Sequence, residues 1–481
     1  MLGVDPTALG AADLSLAIHS REVSCLEVMA AFLDRIELRN PSVNAIVSLR
    51  DRDELMTEAA ECDEEIAADL SRGWMHGMPQ AIKDLAGTRG LRTTMGSPLF
   101  ADHVPERDDL MVARMRRAGC LIVGKTNVPE FGKGSHTFNE VFGPTRNPYD
   151  LGRTAGGSSG GAAVALATRM LPVADGSDYM GSLRNPAAWN NVFGFRPSQG
   201  RVPAWPSTDQ YLSQMGTEGP MGRSVIDVAM LLGTQAGHDP RVPLSLDGRL
   251  TEFADIDTAR RTLDVDPEGT RVGWLGDLGG HLALEPGIEA VCVDGLARLA
   301  ELGCTVEAVG VDFPLDDLWD AWLTWRHMVV VSGIGASVND GNRHLVKPEI
   351  LWEIDQGHAL TLERVNRAAT IRTRYHEAMA GLFLHFDALV LPTAQVWPFP
   401  VEERWPTHIG TREMDTYHRW MEVTLYATFA GLPSISVPVG FDERGLPMGM
   451  QLIGAPRADV EVLALAHAYE RTIGHLAIGE A

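Results

Sequence analysis

A lysine and a small group of serines are the residues in this chain whose types and spacing could do chemistry. Ser158 and Ser159 lie inside Gly156-Gly157-Ser158-Ser159-Gly160-Gly161, and Ser182 lies inside Asp178-Tyr179-Met180-Gly181-Ser182-Leu183-Arg184. Glycines crowd a backbone where side chains would block a turn or the approach of a ligand. Upstream, Lys83 is set in an apolar run, Ala81-Ile82-Lys83-Asp84-Leu85. A serine hydroxyl is a weak nucleophile until a neighbouring base removes its proton, and an amine can be that base. Burial among apolar neighbours lowers a lysine pKa far enough for the role. A hydroxyl nucleophile, a hydroxyl relay and an amine base are the parts of an acyl-transfer site that needs no histidine.

The elements that must hold these residues alternate between helix and strand. Ser24 and Glu27 are spaced as a capping box, and Leu26, Val28, Met29, Phe32, Leu33 and Ile36 recur at helical intervals. Strands are expected at 81–85, 120–123, 171–174, 270–275, 304–309, 388–391, 434–437 and 448–453. Helices are expected at 109–118, 162–168 and 287–302, with a helical region over 315–385. This alternation predicts an α/β chain with helices covering a largely buried sheet. No repeat, low-complexity tract or linker divides it, so residues 1–481 are read as a single domain. Trp319, Trp322 and Trp325 fall on one helical flank and suit core packing, with an aromatic wall of a pocket as the competing role.

Bulk properties exclude several classes. The chain has 481 residues, 45% of them hydrophobic, and a net charge of −23. That charge argues against nucleic acid and anionic membrane surfaces, which need a basic face. The 5 cysteines are scattered and form no CxxC pair, so neither a disulfide framework nor a zinc ribbon is signalled. A reducing cytoplasm is the natural reading. Met1-Leu2-Gly3-Val4-Asp5-Pro6 lacks the basic and apolar pattern of a secretory leader, and the apolar stretch 321–338 contains Arg326 and His327.

Two short motifs point elsewhere and fail on context. Gly119-Cys120-Leu121-Ile122-Val123-Gly124-Lys125-Thr126 fits the phosphate-binding pattern, but its centre has the composition of a buried strand rather than an open loop. Gly156–Gly160 fits the GxSxG elbow of serine–histidine hydrolases, yet the residues before it, 147–153, have the composition of turn and loop. A Ser–His α/β-hydrolase stays as an alternative, since 15 histidines are present.

Longer stretches resemble the amidase signature family of serine hydrolases. They are Ile82-Lys83-Asp84, 124–132 (GKTNVPEFG), 142–161 (FGPTRNPYDLGRTAGGSSGG), 181–187 (GSLRNPA), 193–203 (FGFRPSQGRVP), 430–441 (AGLPSISVPVGF) and 446–454 (LPMGMQLIG). The resemblance implies a large mixed β-sheet covered on both sides by helices and hydrolysis of carbon–nitrogen bonds other than peptide bonds. It makes Ser182 the nucleophile, Ser158 the relay after a cis Gly157–Ser158 bond, and Lys83 the base. The backbone amides of Tyr179, Met180 and Gly181 would form the oxyanion hole, with Asp178 and Arg184 tethering the loop and Ser159 holding the glycine turn. No metal or organic cofactor is implied.

One departure stands out: Met180 replaces the first of the two glycines usual before the nucleophile, which keeps the N–H but adds a side chain that could line the acyl pocket. Met95, Gly132, Trp322 and Trp397 are further candidates for substrate contact. The expected partner is a small-molecule amide, with a homodimer allowed. Within the family the competing reading is the glutamine-hydrolysing subunit of a tRNA-dependent amidotransferase. Outside it, a protein that binds without turnover is the remaining class.

Overall fold

Local signals fix where the first long helix begins. Ser24 Oγ accepts the Glu27 N–H at 3.0 Å while the Glu27 carboxylate accepts the Ser24 N–H at 2.9 Å, closing the expected capping box. The helix Cys25–Val43 follows, burying Val28, Met29, Phe32, Leu33 and Ile36 on one face, whereas Leu26 points outward. The computed structural model describes residues 5–474. Residues 1–4, which carry most of the segment read for a leader, lie outside the described residues. Among those described, no helix is long and apolar enough to cross a membrane.

An eight-stranded sheet forms the centre. From one edge its strands are Thr305–Ala308, Arg271–Trp274, Ala388–Pro392, Pro447–Gly454, Ser434–Phe441, Phe193–Arg196, Thr217–Gly222 and Val173–Asp178. It is mixed. Arg271–Trp274 pairs in parallel with both of its neighbours, and the other pairings are antiparallel. Successive side chains of a strand point to opposite faces, and both faces here are covered. Gly295 of the helix Ile288–Glu301 packs toward Val439 and Met450, while Ala188 of the helix Arg184–Trp189 packs toward Gly449 on the opposite face.

A smaller sheet of Ile46–Val47, Leu121–Thr126 and Pro79–Lys83 lies beside the Val173–Asp178 edge. One buried carboxylate joins the two sheets. Asp175 accepts the Lys83 N–H at 3.1 Å and lies 3.4 Å from Gln80 Nε2. Two apolar clusters fill the interior, one built mainly from residues before 232 and one mainly from later residues, with Trp74 packed against both.

Every strand and helix expected from the apolar pattern is present, with ends shifted by a few residues. Phe193–Arg196 and Thr217–Gly222 are additional strands, because their glycines, prolines and charges hide the alternation. The segment before the serine turn is also corrected. Asp150–Thr154 is a strand, in a two-stranded ribbon with Arg146–Asn147, rather than loop.

Candidate active site

Lys83 is the last residue of its strand, and that places its side chain at the seam between the sheets. It is only 2% exposed. Its Nζ lies 2.9 Å from Ser158 Oγ, 2.7 Å from Ser159 Oγ, 3.0 Å from Ser177 Oγ and 3.1 Å from the Ser177 carbonyl. Burial lowers its pKa to about 7, against the opposing pull of Asp175, Asp178 and Glu218. The amine is therefore available uncharged near neutral pH, surrounded by hydroxyls.

The serine turn is tied to the Ser182 loop by backbone and side chain. Ser159 N–H donates to the Ser182 carbonyl at 3.2 Å, and Gly157 N–H donates to Asn185 Oδ1 at 3.2 Å. The Gly157–Ser158 peptide is cis, as the family resemblance implies. Behind the turn, Thr137 Oγ1 donates to the Gly156 carbonyl at 2.8 Å, and the helix Gly160–Ala167 starts directly after Ser159.

Asp178 organises the loop that presents Ser182. Its carboxylate accepts Gly181 N–H at 2.8 Å, Leu183 N–H at 3.3 Å, and Arg184 at 3.0 and 3.1 Å. Arg196 reaches the same carboxylate at 3.3 Å, and all three side chains are fully buried. Burial opposes the charge, but the two guanidiniums overcome it and hold this carboxyl well below the ordinary range. Arg184 continues outward to Gln451 Oε1 at 2.6 Å and the Thr424 carbonyl at 3.0 Å, anchoring the loop to the strand Pro447–Gly454 of the same sheet. Gly181 has φ +84°, and a Cβ there would come within 2.6 Å of the Thr424 side chain. Only glycine fits.

A cavity of about 300 Å³ opens beside this loop. Ser158, Ser177, Tyr179 and Ser182 line it, with Leu85, Phe131, Gly132 and Lys133 on the wall contributed by earlier residues. Later residues add Val202, Asp209, Gln210, Gln214, Glu218 and Val242. Ser182 Oγ makes no hydrogen bond to a described residue; it and Ser158 share the cavity wall without a direct bond between them. No histidine is among the lining residues. His136, the ring nearest the serine turn in sequence, is engaged by Thr154 Oγ1 at 2.8 Å and the Val401 carbonyl at 2.9 Å.

Several expected site residues lie elsewhere. Of the three amides assigned to the oxyanion hole, that of Gly181 is already taken by Asp178. Met180 is 2% exposed and packs into the apolar core instead of lining the cavity. Trp322 is fully buried, stacked on Trp319 at 5.0 Å, because the flank of its helix faces core. Trp397 is buried too, with its ring N–H donated to the Pro286 carbonyl at 3.1 Å. Met95 is not among the lining residues; its carbonyl accepts the Phe131 N–H at 2.7 Å. Gly132 does lie on the wall. Its φ is +67°, and a Cβ there would sit 2.8 Å from Leu85 Cδ1 and 3.4 Å from Ser158 Oγ.

Sequence reasoning missed Ser177, which touches the lysine twice, and gave Ser159 only a turn-holding role although it is hydrogen-bonded to the lysine. It also missed Lys133, Glu218 and the polar wall around Asp209. Lys133 had a signal, being bracketed by Gly132 and Gly134. Glu218 is the cross-strand partner of Ser177, and burial raises its carboxyl to about 8.

The phosphate-motif lysine is accounted for within the fold. Lys125 lies in the strand Leu121–Thr126 and donates to the Ala86 carbonyl at 2.6 Å and Thr88 Oγ1 at 2.8 Å. The metal-ligating types that group together among the described residues are Cys62, Glu65 and His76, outside the cavity lining. Both ring nitrogens of His76 are engaged, by the Arg72 N–H at 3.1 Å and the Cys62 carbonyl at 3.0 Å, so this group holds the fold together.

A mixed α/β core thus places a buried lysine among serines, beside a cavity whose described lining includes no histidine. The family model described as Amidase matches residues 27–463, and this chain belongs to that family. It is 33% identical over 470 residues to an acylamidase of Rhodococcus erythropolis, covering 96% of this chain and 95% of that one. It is 32% identical over 493 residues to the A-subunit of the glutamyl-tRNA(Gln) amidotransferase of Thermosynechococcus vestitus, covering 96% and 97%. The crystal structure of a bacterial aryl acylamidase of the amidase signature family superimposes with a TM-score of 0.90 at 30% identity, covering 98% of each chain.

Proposed function

We propose that this chain hydrolyses a small-molecule carboxylic amide to a carboxylate and an amine or ammonia, through an acyl-enzyme on Ser182. The observation that carries the reading is the 2.9 Å contact of Lys83 Nζ with Ser158 Oγ on a cavity that Ser182 also lines.

Counting protons assigns the partners. A neutral amine has two N–H donors and one lone pair. The Ser177 carbonyl can only accept, so it takes one donor at 3.1 Å. The second donor goes to Ser159 or Ser177 Oγ, which leaves the lone pair to receive the Ser158 hydroxyl proton. As Ser182 Oγ attacks the carbonyl carbon, its hydroxyl turns to close the hydrogen bond to Ser158 that is open in this structure; its proton passes to Ser158 and that of Ser158 passes to Lys83. The carbonyl oxygen gains the negative charge and is met by the N–H groups of Tyr179 and Met180, each such donor contributing roughly 3–4 kcal/mol. Lys83 then returns its proton by the same route to the departing nitrogen, the carbon–nitrogen bond breaks, and the acyl-enzyme remains. Water repeats the sequence in place of Ser182 and releases the carboxylate.

Both sheets contribute to the site, which supports treating the chain as one functional domain. The decisive test is Ser182→Ala with aryl and alkyl amides: loss of nearly all turnover is expected, and near-normal turnover overturns the assignment. The 32% identity to an amidotransferase subunit supports a second reading, glutamine hydrolysis within a complex. Assaying the purified chain alone on glutamine beside simple amides separates the two.

A further inference from the structure

Lys133 is a buried amine that the mechanism leaves unused; burial, and then the nearby Arg326, lower its pKa to about 7. It is 9% exposed and lines the cavity with Ser158 and Ser182. Gly132, next to it, is the residue whose backbone runs against the relay serine. Lys133 Nζ lies 4.9 Å from the centroid of the Tyr179 ring, and it makes no hydrogen bond or ion pair with a described residue. A lysine withdrawn from water is normally paired.

Its neighbours deepen the imbalance. Arg326 lies 5.5 Å from the same Tyr179 ring, and Lys347 donates to the Lys133 carbonyl. The nearest anion, Glu353, is committed elsewhere, to Arg326 at 2.8 and 3.0 Å and to the Tyr417 hydroxyl. On the rest of the cavity wall, Asp209 is occupied by the N–H groups of Tyr211, Leu212 and Ser213. Glu218 is kept protonated near neutral pH by burial. Arg326 is thus answered by Glu353, whereas the Lys133 amine faces the cavity with no ion pair of its own, and an anion bound beside it would favour its charged form.

We propose that Lys133 binds a carboxylate carried by the substrate, making anionic amides the preferred substrate class. This rests on the amidase reading and specifies its substrate. The carboxylate accepts from the Lys133 amine in its charged form, which the incoming anion itself favours, and such a charge-assisted bond is stronger than a neutral one.

Two carboxylated anilides test the proposal on the two arms of the amide. N-phenylsuccinamate carries the charge on the acyl arm and 4-acetamidobenzoate on the leaving amine; N-phenylbutanamide and acetanilide are their neutral counterparts. One of the two acids is expected to exceed its counterpart in kcat/KM by about tenfold or more, as a hydrogen bond to a charged group allows. Lys133→Met is expected to erase that ratio and Lys133→Arg to keep part of it. No preference, or a preference that survives Lys133→Met, overturns the proposal. Calorimetric titration of the Ser182→Ala protein with the preferred acid needs no turnover, and adding Lys133→Met should weaken that binding about tenfold by the same argument. Unchanged binding overturns the proposal as well. A fluorophosphonate that labels Ser182 separates the levels. Labelling and neutral-anilide turnover without a carboxylate preference sink only the Lys133 assignment, whereas failure of both sinks the amidase reading beneath it.

Discussion

Lys83 Nζ lies 2.7 Å from Ser159 Oγ, closer than the 2.9 Å that separates it from Ser158 Oγ. The two serines meet the same amine in different roles, and their substitution should have different consequences. Ser158→Ala removes the proton path and is expected to lower kcat by roughly 10²–10⁴-fold, the range of a lost general acid–base step. Ser159→Ala removes a hydrogen bond that orients the lysine; on the order of 1–3 kcal/mol is at stake, or roughly 5–150-fold. Steady-state kinetics of both variants check the order. Equal losses would contradict a relay role confined to Ser158.

The pH profile follows from the protonation state of Lys83. Burial lowers its pKa to about 7, and only the neutral amine can accept a proton. Below that value kcat/KM should fall about tenfold per pH unit as the base becomes protonated, and above it the profile should level off. An acid limb centred near the ordinary lysine range would show that the amine is not desolvated in solution.

Asp178 neutralises two fully buried guanidiniums, Arg184 and Arg196. Asp178→Asn leaves them uncompensated and should cost about 3–5 kcal/mol, measured by urea unfolding. The sign with pH is also fixed. Its folded pKa lies below the unfolded value, so the carboxylate's contribution is complete above the ordinary carboxylate range and is lost as pH falls through and below it. The gap between wild type and Asp178→Asn should therefore narrow in acid.

Gly132→Ala tests how closely the backbone approaches the relay. The new Cβ meets Leu85 Cδ1 at 2.8 Å on a backbone with φ +67°. Strain of about 1–3 kcal/mol is expected from the left-handed conformation alone. Slower labelling of Ser182 by a fluorophosphonate and a lower thermal midpoint should appear together. Unchanged labelling would show that the wall yields without disturbing Ser158.

Met180 anchors the nucleophile loop from the core side. Met180→Ala is expected to destabilise by about 2–5 kcal/mol, the range for emptying a buried methionine site. Because the side chain packs into core and not against the cavity, the remaining folded fraction should keep its acyl-size preference. A changed preference across a set of amides would place the methionine against substrate.

Much of this architecture is legible in the sequence. Apolar runs such as Ala388–Leu391 and Ser434–Val437 announce buried strands, and the Ser24–Glu27 spacing announces a helix start. Lys83 stands out in an otherwise apolar run and Ser158 among its glycines, while the roles expected of Lys83, Ser158 and Ser182 come from the family resemblance. What stays hidden depends on pairing across distance. Ser177 and Glu218 become neighbours only when two strands align in register, and nothing local marks either. The tryptophans mislead in the opposite direction: Trp322 and Trp397 have the size and chemistry of a pocket wall, but helix orientation and a Pro286 carbonyl turn them inward. Gly181 shows the same limit on a smaller scale, since its N–H is spent on a carboxylate three positions earlier in the chain.

The Asp175 clamp between the sheets has a bearing on when the enzyme becomes active. Lys83 belongs to one sheet and Ser177 to the edge of the other, so a growing polypeptide cannot assemble its base and its hydroxyls until both layers have formed and locked.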